Sequence, residues 1–73
     1  MTPADAIDAV RALTKREEDI LRLVGKGLNN SEVGAVLHIS KNTVNDYMKS
    51  IFSKLEVNSR LEAAVIACKA GWL

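Results

Sequence analysis

The residue types best suited to chemistry in this chain are the lysines and asparagines that follow residue 40. Helical spacing separates a buried stripe from a polar face made of Lys41, Asn42, Asn45, Asp46 and Lys49. Asn45 and Lys49 lie four residues apart, so on a helix they project from the same side. An asparagine amide can hydrogen-bond an adenine edge in two places, and a lysine ammonium can donate to the acceptors of guanine. The pattern therefore predicts a helix that contacts base edges in the major groove of DNA.

The residues before this helix predict how it is placed. Ser40 has the type of an N-cap for a helix over 41–54, and Lys41, Asn42 and Thr43 occupy its first turn. The unpaired N–H groups of a first turn attract a phosphate. A shorter helix and a three-residue turn at 38–40 come before it, which is the arrangement of a helix-turn-helix. A polar face that is merely solvated is the general expectation for an amphipathic helix, but the turn and the preceding helix outweigh it here.

Cap residues mark the beginnings of the other helices. Thr14 with Glu17, Asn29 with Glu32 and Ser59 with Glu62 have the spacing of a capping box. Thr2-Pro3 indicates a short helix over roughly 3–11, or the end of a linker. No alternating apolar pattern typical of strands persists. The sequence predicts an all-α fold, with a linker or N-terminal helix over 1–12 and a helical DNA-binding domain over 13–73.

Composition limits the classes of function. Seventy-three residues make one domain whose core supplies only ~3–5 kcal/mol of net stability, with little room for a substrate cleft. Paired carboxylates, metal-ligand spacing, a nucleophile with its base and a phosphate loop are all missing from the sequence, so we predict no enzyme, catalytic residue, metal or cofactor. The net charge of +1 is weak for a DNA-binding protein, but three lysines stand against Asp46 in residues 41–54.

The cysteine count and the hydropathy predict the cellular compartment of the protein. Cys68 is the single cysteine, which excludes an intramolecular disulfide and a zinc finger and suits a reducing cytosol. The sequence has no secretory signal and no apolar run long enough to span a membrane. We therefore expect a soluble cytoplasmic protein without a membrane partner.

Residues 13–70 resemble the LuxR-type (GerE, FixJ or NarL-like) helix-turn-helix domain of bacterial transcription regulators. The matching residues are Leu13-Thr14 with Arg16-Glu17, Gly27, Glu32-Val33, Ile39-Ser40, Thr43-Val44, Lys54-Leu55, and Ser59-Arg60 with Glu62-Ala63. The resemblance implies a four-helix bundle whose third helix contacts DNA and whose fourth forms a two-fold dimer on a pseudo-palindromic site. It implies that Thr43 and Lys54 contact phosphate, and that Asn45, Asp46 and Lys49 face base edges.

Several side chains carry more specific expectations. Asp46 is expected to accept from a cytosine amine or to hold Lys49 or Asn42 in place. Glu17 is expected to be a capping carboxylate, paired with Arg16 or Arg60. Val36 is expected to face inward and Cys68 to be a small apolar packing residue, whereas Trp72 covers the end of the core or enters a dimer interface. The predicted dimer face consists of Ala64, Val65, Cys68 and Lys69.

The predicted partners are double-stranded DNA and a second copy of the chain, with RNA polymerase as a further candidate. In related regulators, a phosphorylated receiver or a ligand-binding domain, as in response regulators or quorum-sensing regulators, usually precedes such a domain.

The sequence leaves two alternative functions open. One is a domain like region 4 of a sigma factor, against which the separately capped last helix argues. The other is a protein-interaction module that pairs with another regulator without binding DNA.

Overall fold

Five helices make up the computed structural model, which describes residues 2–72. They are α1 (Pro3–Val10), α2 (Lys15–Gly25), α3 (Asn30–Leu37), α4 (Lys41–Leu55) and α5 (Arg60–Lys69). No strand occurs within the described range. The predicted all-α fold is confirmed, and the four helices of the expected bundle are preceded by the short extra helix α1.

Side-chain caps explain why the helices begin where they do. Complete capping boxes stand before α1, α2 and α3, at Thr2 with Asp5, Thr14 with Glu17 and Asn29 with Glu32. The box predicted before α5 is incomplete. Ser59 Oγ accepts from the Glu62 N–H at 3.2 Å, but the Glu62 carboxylate accepts from the Asn58 N–H rather than from that of Ser59. Each cap residue contributes about 1 kcal/mol, so these contacts set the helix boundaries.

The core lies where α2, α3, α4 and α5 meet. Its largest fully buried side chains are Ile20, Leu21, Val33, Val44 and Ile51. In α4 the predicted stripe of Val44, Met48, Ile51 and Leu55 is buried, while Phe52 is half-buried against it. From α1, Ala6 and Val10 are buried in the same core, because α1 packs against α4 and α5.

Two predicted core residues are exposed. The side chain of Val36 is 53% exposed on α3, so its predicted inward position is wrong. Cys68 is exposed on α5, so it is not the small packing residue expected there, and it lies with the other residues of the predicted dimer face. In α5 the buried residues are Ala63, Ile66 and Ala67, and the helix packs against α1, α2 and α4. Seven of the ten α5 residues are apolar, so the sequence does not distinguish the buried face of this helix from the exposed one.

The turn between α3 and α4 closes over a glycine. His38 ends α3 in the left-handed conformation with φ 59°, and the Ile39 N–H donates to the Gly34 carbonyl at 3.0 Å. A Cβ added at Gly34 would lie 2.5 Å from the carbonyl oxygen of Ile39. The backbone of the turn therefore approaches α3 closely at Gly34 and leaves no room there for a side chain.

Candidate nucleic-acid interface

The polar face of α4 lies opposite its buried stripe. Lys41, Asn42, Thr43, Asp46 and Lys49 are all exposed. The stripe from Val44 to Leu55 fixes this helix against α2, α3 and α5. The helix is thus anchored on one side and presents amides, ammonium groups and one carboxylate on the other.

The first turn of α4 is organised by its cap. Ser40 Oγ accepts from the Thr43 N–H at 3.0 Å, and the hydroxyls of Ser40 and Thr43 lie 2.9 Å apart. Both residues are exposed, as are Lys41 and Asn42 beside them. The positive end of the helix dipole and two hydroxyls therefore lie at the surface together with one ammonium group, a combination that can hold a phosphate.

Asn45 differs from its neighbours because it is half-buried. Its Oδ1 accepts from Asn30 Nδ2 at 2.6 Å, and Asn30 Oδ1 accepts from Arg60 Nη1 at 2.5 Å. The other terminal nitrogen of Arg60 donates to the carbonyl of Leu28. The chain of contacts connects α5, α3 and α4, and sequence reasoning missed it because the residues lie 15 and 30 positions apart.

Lys54 also makes an intramolecular contact. Its Nζ lies 2.6 Å from Glu17 Oε1, so the expected pairing of Glu17 with Arg16 or Arg60 is wrong. Ser50 donates to Glu17 Oε2 at 2.7 Å, and the Thr14 N–H donates to Oε1 at 2.8 Å. Burial raises the pKa of Glu17, but the hydrogen bonds from Lys54, Ser50 and Thr14 outweigh it and lower that pKa from 4.5 to about 2. Glu17 is therefore charged in the folded protein at neutral pH and partly neutralises Lys54.

Asp46 makes neither of the two intramolecular contacts considered for it. Within residues 2–72 its carboxylate has no hydrogen bond or ion pair with Lys49 or Asn42. The side chain lies beside Thr43 and Tyr47, at the edge of a shallow groove whose inner wall includes Glu17. The acceptor atoms of Asp46 are free for an external donor.

The predicted dimer residues occupy the outer side of α5. Ala64 is half-buried, Val65 is 42% exposed, and Cys68 and Lys69 are exposed. Leu61 lies on the same helix and is 73% exposed, more than any other large hydrophobic residue within 2–72. The sequence analysis did not single out Leu61 as a surface residue, although its spacing of four from Val65 was the available signal.

Other kinds of site find no support in the described part of the chain. Residues 2–72 contain no group of three or more histidine, cysteine or acidic side chains that could hold a metal ion. None of the five helices is long and apolar enough to cross a membrane.

Comparison with known proteins identifies the family. The model of the family described as bacterial regulatory proteins, luxR family, matches residues 11–67. The chain belongs to this family. Its members are DNA-binding transcription regulators, so the chain is a helix-turn-helix domain from a family of DNA-binding proteins rather than of enzymes.

Similar proteins carry names of the same kind. The transcriptional regulatory protein DesR of Bacillus subtilis is 38% identical over 68 residues, which are 93% of this chain and 34% of that protein. The transcriptional regulatory protein DegU of Brevibacillus brevis is 39% identical over 61 residues, 84% of this chain and 26% of DegU. The response regulator protein VraR of Staphylococcus aureus is 44% identical over 55 residues, 75% of this chain and 26% of VraR. The luxR-family chain thus spans about a third or less of the length of these relatives.

Proposed function

We propose that this luxR-family domain binds double-stranded DNA sequence-specifically, with α4 in the major groove, as the DNA-binding part of a transcription regulator. The observation that carries the proposal is the exposed polar face of α4, which is anchored by a buried stripe and preceded by the tight turn at 38–40. A recognition helix needs both properties, because it must project from the domain surface and keep a fixed orientation.

The side chains on this face have separate roles in the proposal. Lys49 donates to guanine acceptors, and Asp46 accepts from a cytosine amine, since neither is held by an intramolecular contact in residues 2–72. Ser40, Lys41, Asn42 and Thr43 hold a phosphate at the first turn. Lys54 keeps 34% of its side chain exposed while it bonds to Glu17, so its remaining N–H groups are available to a second phosphate.

The proposal includes a dimer formed through α5. Leu61 and Val65 are apolar and exposed on the outer side of this helix, and two copies of such a face can cover each other around a two-fold axis. A dimer would place two copies of α4 on half-sites about one helical turn apart. The relatives are named as transcriptional regulators and as a response regulator, which supports the same role here, with RNA polymerase as a further partner.

The test is selection from a random duplex library, followed by a salt titration of the selected duplex. We expect log affinity to fall linearly with log salt concentration, because lysines displace counterions from phosphates. Lys49→Ala should weaken binding to the selected duplex. Lys26→Ala removes the same charge from an exposed position at the end of α2 and is the matched control, which should change binding little. Equal effects of the two variants would overturn the assigned face, and the lack of any duplex affinity would favour a protein-interaction module instead.

A further inference from the structure

We propose that Arg60 and Asn30 are positioning residues that set the base preference of Asn45, by fixing which end of its amide faces the DNA. The inference rests on the proposed function, because it concerns the same face of α4. It predicts that Asn45 presents its amide donor outward and selects a guanine edge, which has two acceptors, rather than the adenine edge that an unconstrained asparagine would favour.

The orientation of Asn30 follows from the chemistry of Arg60. A guanidinium carries N–H donors and no acceptor, so the atom of Asn30 that meets Arg60 Nη1 at 2.5 Å has to be the carbonyl oxygen Oδ1. The amide nitrogen of Asn30 then faces the opposite direction. The second terminal nitrogen of Arg60 donates to the Leu28 carbonyl, which holds the guanidinium in place at the beginning of α3.

The orientation of Asn45 follows from that of Asn30. Because Asn30 Nδ2 is a donor, the atom of Asn45 that meets it at 2.6 Å has to be the acceptor Oδ1. A rotated Asn45 amide would bring two NH₂ groups together and lose the hydrogen bond. The two contacts therefore select one of the two amide orientations of Asn45.

The consequence concerns the Nδ2 atom of Asn45. It makes no hydrogen bond within residues 2–72, and no buried side-chain nitrogen or oxygen in this range lacks a partner. Since Asn45 is half-buried, its unpartnered Nδ2 must reach solvent, in the open cleft that Asn45 shares with Lys49. The amide thus presents its Nδ2 donor to the cleft that it shares with Lys49, while its acceptor Oδ1 is already used inside the domain.

A base edge that fits this arrangement has acceptors. Guanine offers two acceptors, N7 and O6, thymine and adenine offer one each, O4 and N7, and cytosine offers only a donor. The N6 amine of adenine would find no acceptor on Asn45, because Oδ1 is occupied. We therefore expect guanine to be preferred most and cytosine least at the base contacted by Asn45.

The deciding variant is Asn30→Asp. An aspartate accepts from Arg60 with one oxygen and presents its other oxygen to Asn45, whose amide must then rotate and donate Nδ2 inward. Oδ1 of Asn45 would face the DNA, and the preference at that base should switch to cytosine or adenine. Residue 30 is the first residue of α3, where an acidic side chain is favourable, so the variant should fold.

The experiment is selection from a random duplex library with four proteins: the wild type, Asn45→Ala, Asn30→Asp and Asn30→Ala. Asn45→Ala identifies the base whose preference is lost. At that base the wild type should favour guanine over cytosine by roughly fivefold or more, as one or two base-edge hydrogen bonds allow. Asn30→Asp should reverse the ratio, and Asn30→Ala should bring it close to one because the amide is then free to rotate. The added carboxylate lowers affinity for every sequence, so the ratio between two duplexes is the readout.

The outcomes separate the two proposals. If the wild type selects no duplex, the proposed function fails and the inference fails with it. If the wild type selects a site but Asn30→Asp keeps the guanine preference, only the inference is overturned.

Amide-proton exchange measured by NMR tests the amide orientation of Asn45 without DNA. A side-chain amide proton of Asn30 should be protected in the wild type, and one of Asn45 in Asn30→Asp. Protection of the Asn45 amide in the wild type would refute the assigned orientation.

Discussion

Lys54 at the end of α4 and Glu17 in the first turn of α2 form an ion pair, with 2.6 Å between Lys54 Nζ and Glu17 Oε1. The Glu17 side chain is 4% exposed and that of Lys54 is 34% exposed, so the carboxylate is buried and the ammonium group reaches the surface. Glu17 also completes the capping box of α2 and accepts from Ser50. A single carboxylate thus caps the beginning of α2 and connects α2 to α4.

Acid should destabilise the fold through Glu17. Its pKa is about 2 in the folded protein against 4.5 when unperturbed, so its contribution to the free energy of unfolding is complete above pH 4.5. That contribution is lost as pH falls from about 4.5 to about 2, and a shift of this size is worth on the order of 3 kcal/mol. Urea unfolding at several pH values measures it. Glu17→Gln should flatten the dependence over this window, while Glu18→Gln, the neighbouring residue, should retain it.

Removing the Lys54 cation alone should lower the free energy of unfolding more than removing both Lys54 and the Glu17 charge. Lys54→Met leaves the Glu17 carboxylate buried without its ion pair, and we expect a loss of about 3 kcal/mol in the free energy of unfolding. Glu17→Gln added to Lys54→Met should recover much of that loss, because no buried charge remains. A double-mutant cycle by urea unfolding gives the coupling. Simple additivity of the two changes would contradict a specific contact between these side chains.

Because Lys54 pairs with Glu17, the Lys54→Ala substitution affects both DNA binding and stability. From the sequence, Lys54→Ala is expected to weaken binding to all sequences alike through a lost phosphate contact. The ion pair adds a loss of stability, so binding has to be measured where Lys54→Ala is fully folded. Under those conditions we expect a uniform loss of affinity and a smaller salt slope. A loss confined to one duplex sequence would contradict the phosphate contact.

Gly34→Ala should destabilise the protein even though alanine favours helices. Alanine gains about 1 kcal/mol over glycine within a helix. Its Cβ would lie 2.5 Å from the Ile39 carbonyl oxygen, and the backbone of the turn cannot yield without moving α4 relative to α3. Displacements of this kind cost about 1–3 kcal/mol, so we expect a net loss of ~1 kcal/mol or more by thermal unfolding. A higher midpoint of thermal unfolding for Gly34→Ala would show that the turn shifts to accommodate the Cβ without loss of stability.

His38→Gly provides a contrasting change in the same turn. His38 has φ 59°, a left-handed conformation that costs a side chain roughly 1 kcal/mol and glycine almost nothing. The exposed His38 side chain makes no hydrogen bond or ion pair within residues 2–72, so the substitution should raise the midpoint of thermal unfolding.

The helix boundaries and the buried stripe of α4 could be predicted from the sequence because they depend on local patterns. The caps at Thr14 and Asn29 act over three residues, and the α4 stripe repeats over one or two turns, so both are visible in the chain. The contacts of Lys54 with Glu17 and of Arg60 with Asn30 span 37 and 30 residues. They depend on how the helices cross, which no local pattern specifies. The buried face of α5, formed by Ala63, Ile66 and Ala67, was not predicted for a related reason, since apolar residues occur on all sides of that helix.

The exposed side of α5 should be required for binding as a dimer but not for folding. Leu61→Glu changes a side chain that is 73% exposed, so the core is untouched, but a charge on the proposed contact surface would repel its two-fold copy. Val36→Glu places the same charge on α3 at a position that is 53% exposed and serves as the matched control. On a duplex with two half-sites, sedimentation should detect two bound chains for the wild type and Val36→Glu. Leu61→Glu should bind as single chains with weaker overall affinity, and cooperative two-chain binding by Leu61→Glu would place the dimer contact elsewhere.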